Sequence, residues 1–297
     1  MKIMLSGASG LIGTKLQTRL DPNLYEFVPL TRKKKAPGIY WNPKEIYIDH
    51  ESLESIDGVI HLAGENIAST PWTAEQKAKI YRSRVDSTRL LVDTFESLLH
   101  PPKFFLTASA VGYYGDHGSD FVTETSDPGA NFLAHLCRDW EEEAKRAKDC
   151  KIRCIQMRLG LVLSTKGGAL QKMLPSFRYG FGAKLDSGQQ YLSWIDLNDC
   201  IDAIEFLIKT NTLDEAVNLC SPNPIPQKEF AKLLARHLHR PCWLRVPRSL
   251  VEFGFGQMGE ELFLTSTRTL PKKLLDAGFA FQYETLEKSL SYQLGEE

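Results

Sequence analysis

A doubly wound α/β fold, with a mostly parallel sheet and a smaller C-terminal lobe, is what this chain of 297 residues predicts. Three observations carry the prediction. The chain begins with a short apolar run, Lys2–Ser6, that leads at once into Gly7, Gly10 and Gly13 and then into a helical stretch, Thr14–Leu20. Short apolar runs then alternate with stretches of helical periodicity, the pattern of β–α–β units with right-handed crossovers. From about Pro175 that alternation loses its regularity, which marks a second, smaller body. The boundaries read as residues 1–220 for the large domain and 221–297 for the small one, with 180–191 contributing to the small lobe.

The glycine-rich turn organises the rest. A strand, a tight turn and a helix N-terminus together present backbone N–H groups to a pyrophosphate, as in Rossmann-type folds. In Gly7-Ala8-Ser9-Gly10-Leu11-Ile12-Gly13, Gly7 suits the turn, Gly10 the approach of backbone to phosphate, and Gly13 the contact of helix with strand. The spacing is G-x-x-G-x-x-G, and such spacing also occurs in strand–turn–helix units that bind nothing. Its place directly after the first apolar run favours the phosphate reading.

Composition narrows the class. With 36 basic and 37 acidic residues the formal net charge is −1, so no global field recruits nucleic acid or an anionic membrane. No apolar run is long enough to span a bilayer, and no secretory signal pattern opens the chain. The six cysteines are scattered without a C-x-x-C pair, as expected of free thiols in a reducing cytoplasm. No metal site is expected either, because His237 and His239 would point apart on a helix.

The elements follow in order. Tyr25–Leu30 reads as the second strand, ending at Thr31-Arg32-Lys33-Lys34-Lys35. Folds that bind NAD usually hold an acidic residue there for the ribose 2′-OH. None occurs between Glu26 and Glu45, and a guanidinium at Arg32 suits a 2′-phosphate. NADP is therefore the expected cofactor over NAD, against the plainer reading of a solvated basic loop. Short strands are expected around Tyr40-Trp41 and Ile46–Ile48, and Gly58–Gly64 reads as a buried strand ending in small residues, with His61 a core histidine. Pro71–Leu99 reads as one long helix carrying Lys79, Arg82 and Arg84. The strand Phe104–Ser109, the loop Ala110–Gly115, a helix over 131–148 and a strand over Ile152–Leu163 come next. Beyond Gly167-Gly168 lie helices over 169–177, 199–210 and 227–238, with strands near Tyr191–Asp196 and Val217–Leu219.

With the glycine loop, Leu62-Ala63-Gly64-Glu65-Asn66-Ile67, Ser83-Arg84-Val85, Ser109 to Gly115, Gly167-Gly168-Ala169-Leu170, Trp194 to Asp199 and Ala277-Gly278-Phe279 in this order, the chain resembles the extended short-chain dehydrogenase/reductases. It is most similar to their nucleotide-sugar epimerase subfamily with a C-terminal domain of unassigned function. The resemblance implies that Thr31 and Arg32 contact the ribose phosphate. It also implies that Leu62, Ala63 and Gly64 line the cofactor, that Lys79 and Arg84 reach it, and that Val162 lies on the strand beyond. A small-molecule substrate, a nucleotide sugar among the options, and a homodimer follow by the same analogy.

The superfamily's catalytic groups are a Ser and a Tyr-x-x-x-Lys pair, in which the lysine charge lowers the tyrosine pKa. Ser109 matches the serine, but aligning Glu141 with the acid that follows the lysine puts Leu133 and Cys137 at the dyad positions. Three readings follow. Tyr113 or Tyr114 supplies the proton, with Glu65, Glu124 and His135 as weaker substitutes, and the chain is an NADP-dependent oxidoreductase or epimerase. Alternatively, the chain binds NADP(H) as a regulator without turnover, or the helix alignment is displaced.

Overall fold

In β1 (Lys2–Ser6) the residues Ile3, Met4 and Leu5 are wholly buried, as a central parallel strand covered on both faces requires. This computed structural model describes residues 1–295; the last two residues of the expected C-terminal lobe lie outside them. Helix α1 (Leu11–Arg19) follows the glycine turn and ends before Asp21-Pro22, where proline cannot continue it. Then come β2 (Glu26–Thr31), β3 (Ile39–Asn42), β4 (Tyr47–Ile48) and β5 (Gly58–His61). The remaining strands of the main sheet are β6 (Phe104–Ala110), β8 (Arg153–Leu159) and β13 (Glu215–Leu219), with the short β7 (Phe121–Val122) outside it.

The eight-stranded sheet runs β13-β8-β6-β5-β1-β2-β3-β4. Strand β1 pairs in parallel with both β2 and β5, β5 with β6, and β2 with β3, while β4 returns antiparallel to β3. The chain order reverses across β1 and β5, and ligands of open α/β sheets bind at the carboxyl ends of such a pair.

Two of the expected elements are broken. Pro71–Leu99 is two helices, α2 (Ala74–Arg82) and α3 (Val85–Phe95). Hydroxyls make the break: Ser83 Oγ donates to Ile80 O and accepts from Glu65 N, while Ser87 Oγ donates to Ser83 O. Ile152–Leu163 divides at Gly160 into β8 and β9 (Leu161–Leu163). There Gly160 N donates to Leu219 O, a Cβ would lie 2.9 Å from Ser193 O, and β9 leaves the main sheet to pair with β12 (Trp194–Asp196).

The other elements are α4 (Phe132–Lys145), α5 (Gly168–Arg178), β10 (Ala183–Leu185), β11 (Tyr191–Leu192), α6 (Leu197–Lys209), α7 (Gln227–His237), α8 (Arg248–Gly259), α9 (Lys272–Asp276) and α10 (Leu286–Leu294).

Two compact units result. The first comprises Met1–Ser109, Leu136–Met157 and Ile204–Val217, and the second Ala110–His135, Arg158–Ala203 and everything from Asn218 onward. This differs from a single division at residue 220. The first unit's core stacks Met4, Val59 and Phe105 against Leu91, Phe95 and Ala144. The second packs Leu163, Leu170 and Trp194 against Phe230, Leu234, Leu286 and Leu290, so its core draws on chain from both sides of 220. Asp196 and Asp199 tie the same regions together: Asp196 accepts from Ser289 and Gln293, and Asp199 from the N–H groups of Gln282 and Tyr283.

Candidate functional site

The glycine turn has the shape its sequence suggests. Gly7 sits at φ +68°, and a Cβ there would lie 2.9 Å from the Leu62 carbonyl carbon. A Cβ on Gly13 would lie 2.3 Å from Gly7 O, so this glycine lets the helix pack on the turn itself rather than on the strand. Gly10 is the N-cap of α1 and brings no side-chain hydrogen bond, which leaves the first-turn N–H groups without a cap. Gln17 Nε2 donates to Ala8 O at 2.8 Å and pins the loop from the helix. The cradle is one that a Cβ would fill, and it fits the pyrophosphate of a dinucleotide.

Beside it, the end of β5 is held by a buried polar chain that sequence reasoning did not find. Ser6 Oγ accepts from both Leu62 N and Ala63 N at 3.0 Å, so its own proton goes to His61 Nδ1 at 2.6 Å. His61 is then the Nε2–H tautomer and donates to Ser87 Oγ at 3.2 Å, which passes its proton to Ser83 O. Burial, helped by the Arg84 charge, pulls the His61 pKa down to about 3, so the ring is neutral. His61 thus sets the shape of the Leu62–Ala63 backbone and is no general base. Its place inside a continuous apolar run was signal enough for a core histidine, but its serine partners lie on other elements.

Arg84 stands at the break between α2 and α3 and turns back onto this backbone. Its guanidinium donates to Glu65 O at 2.9 Å and Ile80 O at 3.2 Å and lies about 5.5 Å from the Trp140 ring centroid. A Cβ on Gly64 would come within 3.0 Å of it. Lys79 points elsewhere: it is exposed on α2 and ion-paired to Glu75 at 2.7 Å. The helix break explains the difference, because one continuous helix would have kept both cations on a regular spiral. At the end of β2, Thr31 Oγ1 accepts from Lys33 N and Arg32 is exposed, with no acidic residue in the turn.

Ser109, at the end of β6, is 3% exposed, and its Oγ donates to Glu141 Oε1 at 2.7 Å. The hydroxyl proton is therefore directed into the core, which the serine's place at a strand end did not reveal. Cys137 is likewise buried on α4. In the second unit, Leu133 packs toward Gly112, and the α4 N-terminus is capped by Glu261, which accepts from Phe132 N and Leu133 N.

Tyr113 and Tyr114 occupy a short 3-10 turn after β6, where Gly129 N donates to Tyr113 O. Tyr114 is wholly buried; its OH donates to Asn218 Oδ1 at 2.7 Å and accepts from Arg158 Nη1 at 2.8 Å. Burial pushes its pKa up, against the opposing pull of Arg158 and Asn218. As a proton donor Tyr114 is thus disfavoured, since its hydroxyl is fully engaged. Tyr113 is half-buried, and Arg158 lies over its ring. Val162, on β9, belongs to this second unit, not to the unit that holds the glycine turn. The unit also contains a polar cavity of about 600 Å³ whose lining includes Tyr114, Asp116, His117, Asn131, Arg248 and Glu261. Among the described residues, no group of three or more His, Cys, Asp or Glu side chains is arranged to hold a metal ion, and no helix is long and apolar enough to cross a membrane.

Residues 3–220 match the NAD-dependent epimerase/dehydratase family. The chain belongs to that family. Residues 246–292 of this epimerase/dehydratase-family chain match a domain of unknown function, DUF1731. Among its relatives, the epimerase family protein Mb2239 of Mycobacterium bovis is 36% identical over 296 residues, covering 98% of this chain and 96% of that one. YfhF of Bacillus subtilis, also an epimerase family protein, is 32% identical over 298 residues, covering 98% and 97%. The structure of the human epimerase family protein SDR39U1, solved with NADPH, superposes with a TM-score of 0.90 at 26% identity over the whole of both chains.

Proposed function

We propose that this chain is an NADP-dependent oxidoreductase or epimerase of the extended short-chain dehydrogenase/reductase type, acting on a small carbonyl or hydroxyl compound. The observation that carries the cofactor choice is the turn after β2, where an exposed arginine stands and no carboxylate does. The NADPH in the human relative supports the same choice. The open N–H groups of α1 hold the pyrophosphate, Thr31 and Arg32 the 2′-phosphate, and the Leu62–Gly64 backbone with Arg84 behind it forms a wall along the cofactor. A bound NADP brings hydride transfer to or from a substrate carbon.

The proton is the protein's task. Tyr113 supplies it, because its ring is only half-buried whereas the Tyr114 hydroxyl is enclosed. Ser109 orients the reacting oxygen by accepting or, after turning from Glu141, by donating. A nucleotide sugar is one candidate substrate. The second unit's cavity bears on it: Asp116, Glu260 and Glu261 line the cavity together with Arg248, and Arg248 is already ion-paired to Glu252 and Glu260. That lining favours an uncharged, hydroxyl-rich group over a diphosphate there.

The rival reading, a non-catalytic NADP(H)-binding regulator, rests on Leu133 and Cys137 at the dyad positions. A substrate screen with NADPH separates the readings. A reductase consumes NADPH stoichiometrically, an epimerase regenerates a tightly held cofactor, and a regulator binds it and does neither. Tyr113→Phe should abolish whichever turnover is found.

A further inference from the structure

The superfamily's lysine places a positive charge beside the catalytic tyrosine, and Cys137 cannot do that. A buried charge does stand beside Tyr113. Arg158, at the end of β8, is 3% exposed, and its guanidinium carbon lies 3.5 Å from the Tyr113 ring centroid and 5.0 Å from that of Tyr114. Its Nη1 donates to the Tyr114 hydroxyl at 2.8 Å and to Glu124 O at 3.4 Å. The two rings meet edge to face, 5.4 Å apart at 83°, so the guanidinium lies over one ring and is hydrogen-bonded to the hydroxyl of the other.

We propose that Arg158 takes over the electrostatic role of the missing lysine, holding a fixed positive charge against Tyr113 so that its phenol exchanges a proton more readily, with Tyr114 as the strut that keeps Arg158 there. The inference rests on the reading of Tyr113 as proton donor.

Arginine stays protonated even where burial disfavours its charge, whereas a lysine in such a place readily loses its proton. Burying a guanidinium is costly, and it is tolerated only with good partners. Packing alone would be served as well by Met or Leu. A cation over the ring lowers the free energy of the phenolate more than that of the phenol, by Coulomb attraction in a medium of low dielectric. One charged group nearby is Glu124, whose carboxylate accepts from Asn218 N at 3.1 Å and Lys273 N at 3.2 Å. Its charge opposes the effect, and those two N–H groups partly offset it. Tyr114 does not compete for the proton, because burial raises its pKa and Asn218 accepts from its hydroxyl. Arg158 is in this sense a positioning residue, acting through Tyr113.

The test is alkaline difference spectroscopy of tyrosinate formation on the full chain, with NADPH binding measured on the same samples. Subtracting the Tyr113→Phe titration from that of the wild type isolates Tyr113. Its midpoint should fall at least about one pH unit below the ordinary tyrosine value of about 10. Arg158→Met should raise that midpoint by a similar amount, and Arg158→Lys should keep part of the shift. A wild-type midpoint at or above about 10 would overturn the proposal, as would one that Arg158→Met leaves in place. Should Arg158→Met fail to fold, the wild-type midpoint and Arg158→Lys still decide. Failure of the wild type to bind NADPH would instead sink the cofactor reading, whatever the tyrosine does.

Discussion

His61 has a folded-state pKa of about 3 against an ordinary value of 6.5, and that gap makes it a pH-dependent element of stability. Below pH 6.5 the unfolded chain takes up a proton that the folded chain refuses. Stability therefore rises with pH between about 3 and 6.5, by up to about 1.4 kcal/mol per pH unit. Asp199 opposes this slope, since burial pushes its pKa up to about 6 from 3.8. Comparison with His61→Gln cancels the Asp199 contribution: urea midpoints of wild type and variant should converge as pH falls from 7 to about 5. Parallel curves would contradict the assignment. Tyr114→Phe leaves Arg158 and Asn218 each short of a partner. It should cost about 1–3 kcal/mol in urea unfolding and leave NADPH affinity unchanged. At this scale the sequence was readable where one strand's apolar run sufficed, as for His61. It was silent where two elements meet, as for Ser109 with Glu141 or Tyr113 with Arg158, because no local period links residues 32 or 45 positions apart.

The decisive element is the strand–turn–helix of residues 2–19, and it was also the most legible. Glycines at 7, 10 and 13 have distinct steric reasons that local chain geometry dictates. Gly13→Ala would drive a methyl to 2.3 Å from a backbone oxygen that cannot yield easily. The turn must open, and calorimetric titration should show NADPH affinity falling roughly tenfold or more, about 1.4 kcal/mol. Gly10→Ala, at 3.2 Å from the same oxygen, should leave the fold intact in the same experiment. Two other elements were read too long for one reason. Apolar periodicity runs through Ser83-Arg84 and through Gly160 without interruption, while the breaks are made by polar contacts it does not register, local hydroxyl bonds together with the Glu65 N–H at the first and the Leu219 carbonyl at the second. The break at Arg84 has the larger consequence, since it turns that guanidinium onto Gly64 and leaves Lys79 in solvent.

For the whole molecule, composition and the alternation of strands and helices were enough to indicate a parallel α/β sheet, whereas the division into units was not legible. The second unit is stitched from three stretches of chain, and no compositional shift marks their ends. Its core needs Phe230, Leu234, Leu286 and Leu290 against Leu163, Leu170 and Trp194. A fragment ending at 220 should therefore expose that core and be recovered unfolded or aggregated by circular dichroism and gel filtration. A soluble fragment with native near-ultraviolet signal would contradict this. The proposed chemistry depends on the cofactor, and the most direct measurement is titration of the purified chain with NADPH and NADH, repeated with Arg32→Ala. NADPH should bind well and NADH weakly, with the preference lost in the variant. Equal affinity for the two nucleotides, or a preference that survives Arg32→Ala, would contradict the NADP assignment, and binding of neither would remove the enzyme reading with it.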